Sequence, residues 1–357
     1  MKPPPGHLGD MPPPLAGRAE RCRRLALDWL FAHDYRLFTP PLAEHLETLT
    51  AGDKTLDADT FKMTDTLSGE TLGLRADHTQ QVLRYDKAAG DGGIRRYCYC
   101  GPVIRTHPPQ AWKLREEMQL GAEMFGATDS GGGLEIARIT AGMLTAIGIT
   151  DIASSVAHVG IVRELLKAVP PQRHDEILRH FIRKDAKSIN AIGGGEMLAK
   201  LCAIGGGEDA IDEARSLLPS AFSPMVDEVA LLRRQLSADG GDAEADFSDI
   251  GGYGYHTGAV FVFYGAGFVA ARGGVFSRGA GFSANLREIA EHLPPQQQED
   301  MPISCPLNAE VLANEEWRRA VAALEQAGRR LRFVYDENPP PPCLQKTASG
   351  KWQVREQ

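Results

Sequence analysis

Gln119, Gly121 and Glu123 stand two apart, so on a β-strand they share one face, with Leu120, Ala122 and Met124 on the other. A glycine between two long polar side chains leaves space above the sheet for a small ligand. Glutamine and glutamate there accept hydrogen bonds from an ammonium group. Arg105, on what reads as a neighbouring strand, suits a carboxylate, which a guanidinium grips through two parallel bonds. Together that is the chemistry of an amino-acid site. Spacing alone fits a solvated sheet face with ion pairs equally well. Two more stretches set polar residues on strand-like pattern. One is Leu72–Gln80, with Asp77 and Thr79; the other is Gly254–Phe261, with Tyr255 and His256, followed by Arg272-Gly273-Gly274 and Gly281-Phe282-Ser283.

The elements that position these residues follow from periodicity. Cys22, Leu25, Ala26, Trp29 and Leu30 line one face of a helix within 16–34, and a short extended piece runs from Tyr35 to Thr39 until Pro40-Pro41 stops it. Strands are expected at Thr60–Met63, Thr71–Leu74, Ile94–Cys100 and Met118–Phe125, then a helix over Leu134–Ile147. Residues 161–237 read as mostly helical. Within them Ala-Ile-Gly-Gly-Gly-Glu occurs at 191–196 and 203–208, and both copies read as helix–helix turns, since neither is followed by the Lys-Ser or Lys-Thr of a phosphate cradle. A Gly/Asp/Ala linker over 237–248 precedes strands at Ala259–Tyr264, Gly267–Ala271 and Ala280–Ser283. The last unit sets a strand at Ile303–Cys305, a helix through Trp317 and Leu324, and strands at Arg332–Tyr335 and Lys351–Arg355, with four prolines at 339–342 between those two. Strands clustered before helices favour an antiparallel α+β architecture. Three regions result: a Pro-rich disordered leader at 1–15, a core at 16–300 with a helical insertion at about 161–237, and a small α+β domain at 301–357.

Composition narrows the function classes. The 357 residues carry 39 Lys and Arg against 47 Asp and Glu, a net charge of −8, which disfavours wholesale gripping of a nucleic-acid backbone. The six cysteines are scattered without a C-x-x-C pair, so Cys98 and Cys100 read as strand core residues, no metal site is expected, and a reducing, cytoplasmic setting is. No apolar run approaches the roughly 20 residues that span a bilayer.

Leu74-Arg75-Ala76-Asp77, Gly101-Pro102-Val103-Ile104-Arg105, Gln119–Gly126, Tyr255-His256-Thr257-Gly258 and Gly281-Phe282-Ser283 come in the order and spacing of the class II histidyl-tRNA synthetase core. The resemblance spans about 16–290, and Arg36–Pro41 looks like that family's first motif, its dimer element. It implies a class II antiparallel sheet flanked by helices, and it places Asp77, Thr79, Arg105, Gln119, Glu123, Tyr255 and His256 around an amino acid, histidine.

The departures bear on chemistry. Arg105 is followed by Thr106 and His107 rather than by one residue and a glutamate. Glu288 stands where an arginine holds the ATP phosphates, Gly251 replaces a second arginine, and His256 replaces a tyrosine. Stabilising charge at phosphorus needs those arginines, so adenylate formation is expected to be lost. This combination resembles the regulatory subunits of ATP phosphoribosyltransferase, a synthetase-like family. The resemblance implies no catalytic residues and no cofactor. It further implies a short-form catalytic subunit as partner, self-association as a dimer, histidine as feedback effector, and a C-terminal unit too small for a full anticodon-binding domain. Two other implications stay open: a divergent histidyl-tRNA synthetase, and a stand-alone synthetase-like binding protein.

Overall fold

The computed structural model of the chain describes residues 6–294 and 302–355, apart from 52, 91, 112, 194, 337, 338 and 348. It divides into two compact units, Met1–Leu293 and Pro294–Gln357. The first is built on a nine-stranded sheet. Its spatial order is Arg36–Leu37, Arg95–Ile104, Glu116–Phe125, Gly279–Asn285, Phe268–Phe276, His256–Gly265, Ala153–His158, Asp242–Asp246 and Gly205–Gly206.

The alternation at 119–124 does what its period dictates. Leu120, Ala122 and Met124 are fully buried in the main apolar core, under the helices Leu15–Ala32, Ser130–Ala146 and Leu286–His292. The opposite face therefore carries Gln119, Gly121 and Glu123. Cys98 is buried in the same core and Cys100 packs against it, as small strand residues do.

The sheet is mixed rather than wholly antiparallel. Its central strands are antiparallel, but Arg36–Leu37 runs parallel to Arg95–Ile104, and Asp242–Asp246 runs parallel to Ala153–His158. Parallel neighbours need a long crossover, and the helices from Val159 to Ala238 supply one for the second pair. The helical insertion is thus also a crossover, and the segment expected as a linker contains the strand it returns to. Ala243 and Ala245 face inward there while Asp242 and Glu244 face out, a period-two pattern hidden by the small size of alanine. The second Ala-Ile-Gly-Gly-Gly-Glu copy is likewise more than a turn, since Gly205 and Gly206 pair with Asp246 and Ala245 as an edge strand.

A second, three-stranded sheet of the first unit, in the order Ala43–His45, Thr71–Leu74, Phe61–Thr64, carries the helices Leu46–Thr50, Lys54–Asp59 and Thr79–Ala88 near it. Arg75 fastens it to the main sheet: its Nη1 donates to Pro40 O at 2.9 Å and its Nε to Pro102 O at 2.8 Å. The leader expected over 1–15 lies partly outside the described residues. Its residues 7–10 meet the core, where Arg115 N donates to His7 O at 2.8 Å and Arg287 donates to Gly9 O at 3.0 Å and Asp10 O at 2.9 Å. The boundary expected near 300 also lies outside the described residues.

The second unit is a four-stranded sheet, Leu331–Val334, Ile303–Pro306, Cys343–Lys346, Trp352–Arg355, with the helices Ala309–Ala313 and Glu315–Gln326. Ile303, Cys305, Trp317, Val321 and Leu344 form its core. The strand Cys343–Lys346 was hidden by the prolines before it and by its non-alternating burial, two buried residues followed by two exposed.

Asp86 decides where the Thr79–Ala88 helix sits. It is fully buried, Arg95 grips both its oxygens at 2.6 and 3.1 Å, and Arg278 stands 3.5 Å away. Removing one partner of a buried charge cluster is far more costly than the cluster's net worth. Asp86→Ala is therefore expected to lower stability by about 3–5 kcal/mol, read as a fall in the urea midpoint at unchanged m-value. A loss below about 1 kcal/mol would show that the arginines are satisfied without Asp86.

Candidate functional site

The site is assembled on the polar face of the main sheet. Tyr99 pairs with Gly121, and Glu123 with Gly281, on adjacent strands. A side chain at 121 would collide with the Tyr99 ring and with Phe282 O. The space expected above Gly121 for a ligand is thus filled by Tyr99, and the cavity lies beside it. At 281 a Cβ would meet the Glu123 carboxylate, so glycine there lets that side chain lie across the neighbouring strand.

Glu123 is only 3% exposed. Thr79 Oγ1 donates to its Oε1 at 2.8 Å, and the Tyr99 hydroxyl donates to the same atom at 3.3 Å. Burial pushes its pKa up to about 8; the two hydrogen bonds oppose that and the charge of Asp77 adds to it. Burial likewise pushes the Tyr99 hydroxyl far above its usual range.

Asp77 turns the chain into the Thr79–Ala88 helix, its Oδ1 accepting from Thr79 N at 2.7 Å. Gln119 Nε2 donates to Asp77 Oδ2 at 2.8 Å, while Gln119 Oε1 accepts from His78 N at 3.1 Å and stands 2.8 Å from His78 Nδ1. Both ends of the amide are thereby engaged, and Gln119 orients Asp77 instead of offering itself to a ligand. Since Oε1 can only accept, the neutral His78 ring carries its proton on Nδ1. Burial, with the charge of Arg75 next, holds that ring's pKa down to about 4.

A cavity of about 300 Å³ opens next to Glu123. Asp77, Thr79, Glu123, Tyr255 and His256 all line it. Asp53 and Asp249 add carboxylates, Ser283 adds a hydroxyl, and Arg272 is the one Lys or Arg among its lining residues. Asp249 is held by the Ser155 hydroxyl at 2.6 Å and the Tyr264 hydroxyl at 3.2 Å. Arg163 donates to the carbonyls of Tyr253 at 3.0 Å and His256 at 2.8 Å, fixing the loop that presents Tyr255. The Tyr255 hydroxyl and His256 Nδ1 are buried with no hydrogen-bond partner. Burial depresses the His256 pKa to about 4 and raises that of Tyr255, so both are neutral polar groups needing a partner. Besides Glu123, Asp53, Asp77 and Asp249 stand against Arg272, a set complementary to a small ligand with a cationic and an anionic group.

Arg105 is placed elsewhere. It pairs with Glu117 at 3.1 Å and borders a second cavity, of about 670 Å³, together with Gln119, Lys113 and Glu288. Lys113 and Glu288 are themselves an ion pair. Asp77, Arg272 and Ser283 border both cavities. Tyr99 and Arg272 fall within the polar stretches of the sequence but spacing gives them no role there, and it does not pick out Asp249; the role of Tyr99 comes from its register with Gly121, which spacing within one strand does not contain. Among the described residues no group of three or more His, Cys, Asp and Glu side chains is arranged to hold a metal ion, and no helix is long and apolar enough to cross a membrane.

Known proteins resemble the chain over most of its length. The histidyl-tRNA synthetase family model matches residues 7–289. The ATP phosphoribosyltransferase regulatory subunit of Ralstonia nicotianae is 34% identical over 348 residues, covering 91% of this chain and 88% of that protein. The one from an Azoarcus species is 35% identical over 312 residues, 81% of each. Among solved structures, an ATP phosphoribosyltransferase regulatory subunit/histidyl-tRNA synthetase from Bacillus halodurans superposes with TM-score 0.79 at 23% identity, covering 94% of both chains. A chain of the ATP phosphoribosyl transferase complex from Thermotoga maritima gives 0.59 at 18% identity, over 74% of this chain and 96% of that one. At those identities the structures establish the fold.

The raised pKa of Glu123 has a thermodynamic sign. The folded state keeps the proton up to about pH 8, whereas the ordinary value is 4.5, so this group's contribution to stability is complete below about 4.5 and is lost as pH rises through 8. Glu123→Gln keeps an acceptor for Thr79 and Tyr99 without the titration. Between pH 5 and 8 the wild type is expected to lose stability relative to this variant, by up to about 1.4 kcal/mol per pH unit, in urea unfolding. Parallel pH profiles would mean that Glu123 ionises normally.

Proposed function

The chain belongs to the family of ATP phosphoribosyltransferase regulatory subunits, and from that premise we propose that it partners the short-form catalytic subunit of that enzyme in the first step of histidine biosynthesis and holds the histidine that restrains it. In that complex the chain is the regulatory partner. The observation that carries the histidine reading is the contrast between the two cavities. The smaller keeps a buried carboxylate with its Thr79 and Tyr99 donors, beside neutral polar groups without partners. In the larger, Lys113 is tied to Glu288 and Arg105 to Glu117, so two of its three cations are neutralised by the protein itself and Arg272 alone is too few for a triphosphate. Amino-acid binding persists in this reading while adenylation does not.

Histidine suits the smaller cavity chemically. Its ammonium and imidazole offer hydrogen bonds to Glu123, Asp77, Tyr255 and His256. Feedback then requires that histidine bind one arrangement of the complex more tightly than another, since equal affinity shifts nothing. Self-association through the Arg36–Leu37 segment is part of the same proposal, supported by its place at the edge of the main sheet with Leu37 46% exposed. A cytoplasmic setting belongs to it too.

Reconstitution tests the proposal. The purified chain mixed with a short-form phosphoribosyltransferase of the same cell is expected to raise phosphoribosyl-ATP formation, and histidine to suppress that gain. Glu123→Ala is expected to raise the histidine needed by about tenfold or more, since a buried ligand group left without its partner costs about 1–3 kcal/mol. No effect of the chain on the partner would overturn the proposal. Histidine-dependent pyrophosphate exchange by the chain alone would make it a synthetase instead.

A further inference from the structure

Arg272 stands apart from the other basic residues around the two cavities. Arg105 and Lys113 each have a carboxylate partner, whereas among the described residues Arg272 has no ion pair. It is exposed, it borders both cavities, and it is the one Lys or Arg lining the smaller. Register fixes where it stands. Arg272 is directly across from Ser283, which is across from Gly121, while Glu123 is across from Gly281 and Gly281 from Gly274. Arg272 and Glu123 thus share one face of the sheet, in adjacent rows and two strands apart.

We propose that Arg272, with the Ser283 hydroxyl beside it, is the anchor for the α-carboxylate of the amino acid bound in the smaller cavity, and so sets the selectivity for an intact amino acid over its decarboxylated or reduced analogues. This rests on the histidine reading above. Gly251 lines the same cavity with no side chain to offer, and Arg105 is drawn off to Glu117, so neither supplies the guanidinium that an α-carboxylate needs. Arg272 supplies it from the opposite side, on the floor rather than from the loop. A carboxylate held there leaves the ammonium toward Asp77, so both ligand charges meet their opposites, and the imidazole toward the polar groups of Glu123 and Tyr255. Its place at the junction of the two cavities puts the carboxylate where the larger one begins.

The test is calorimetric titration of the full chain with L-histidine and with L-histidinol, which keeps the ammonium and imidazole but has a hydroxymethyl group for the carboxylate. The wild type is expected to favour histidine by about ten- to hundredfold, the range of a charge-assisted hydrogen bond. Arg272→Gln is expected to abolish that preference by weakening histidine while leaving histidinol unchanged, and Arg272→Lys to restore part of it. Arg272 is exposed and unpaired, so these variants keep the fold, checked by an unchanged urea midpoint. If Arg272→Gln keeps the preference while Glu123→Ala loses histidine, the histidine site stands and the assignment of Arg272 falls. If the wild type takes up neither ligand, the histidine reading and the assignment fall together.

Discussion

A carboxylate sunk into the polar face of a β-sheet is the constraint on which the site depends. Glu123 has almost no contact with water, and desolvating a charge without compensation is prohibitive, so the protein either keeps it protonated or surrounds it with donors. Both solutions are visible. Its pKa is raised to about 8, and Thr79 and Tyr99 point hydroxyls at one oxygen. Each of these needs its own support. Tyr99 reaches Glu123 because Gly121 gives it room, Glu123 spreads sideways because Gly281 has no side chain, and Thr79 is held by the turn at Asp77. The buried Asp86 with its arginines then fixes the helix that Thr79 begins. A single buried group thereby explains two glycines, a tyrosine, a helix start and an ion cluster.

Separating binding from chemistry follows from where charge is left unpaired. Catalysis at phosphorus demands cations preorganised toward the reacting group and not already neutralised. The larger cavity has cations, but Lys113 and Arg105 face protein carboxylates, which leaves Arg272, at its border with the smaller cavity, as the one without an ion pair among the described residues. The smaller cavity retains unpartnered polar atoms at Tyr255 and His256, which cost stability until something meets them. The larger cavity is mostly satisfied by the protein itself; the smaller leaves polar atoms without partners.

Much of this was legible in the sequence, and the remainder failed for identifiable reasons. Period-two and helical alternation located most strands and helices of both units. Asp242–Asp246 escaped because alanine is a weak hydrophobic signal, and Cys343–Lys346 because prolines precede it. At the site, Asp77, Thr79, Glu123, Tyr255 and His256 were recognised and do share a cavity. Gln119 lies on a strand as read and Arg105 falls just past the end of its strand at Ile104, and the hydrogen-bonding capacity of both is used by His78, Asp77 and Glu117. Saturation of that kind depends on neighbours distant in sequence. Strand register across the sheet brings Arg272 alongside Ser283, and no local pattern contains it.

The cavity's construction also bears on how occupancy there can matter elsewhere. Its walls come from separate pieces of chain: the main sheet through Glu123 and Arg272, the start of the Thr79–Ala88 helix through Asp77 and Thr79, the Asp249–His256 loop, and the segment around Asp53–Leu56. The sheet is held together by its own hydrogen-bond ladder. The helix is held against it by side-chain contacts, Asp86 with Arg95 and Val82 in a buried cluster with Tyr99, Phe125 and Phe276, and the loop by Arg163 with two carbonyls. A ligand that touches all of these pieces couples their relative positions to its own binding, and any surface continuous with one of them then shares in that free energy. Coupling of that size is bounded by the ligand's differential affinity for the two arrangements, about 1.4 kcal/mol for each tenfold ratio. The buried Glu123 carboxyl group is suited to supply such a difference, because the free energy of a hydrogen bond in a dry site changes steeply with small displacements of the donor.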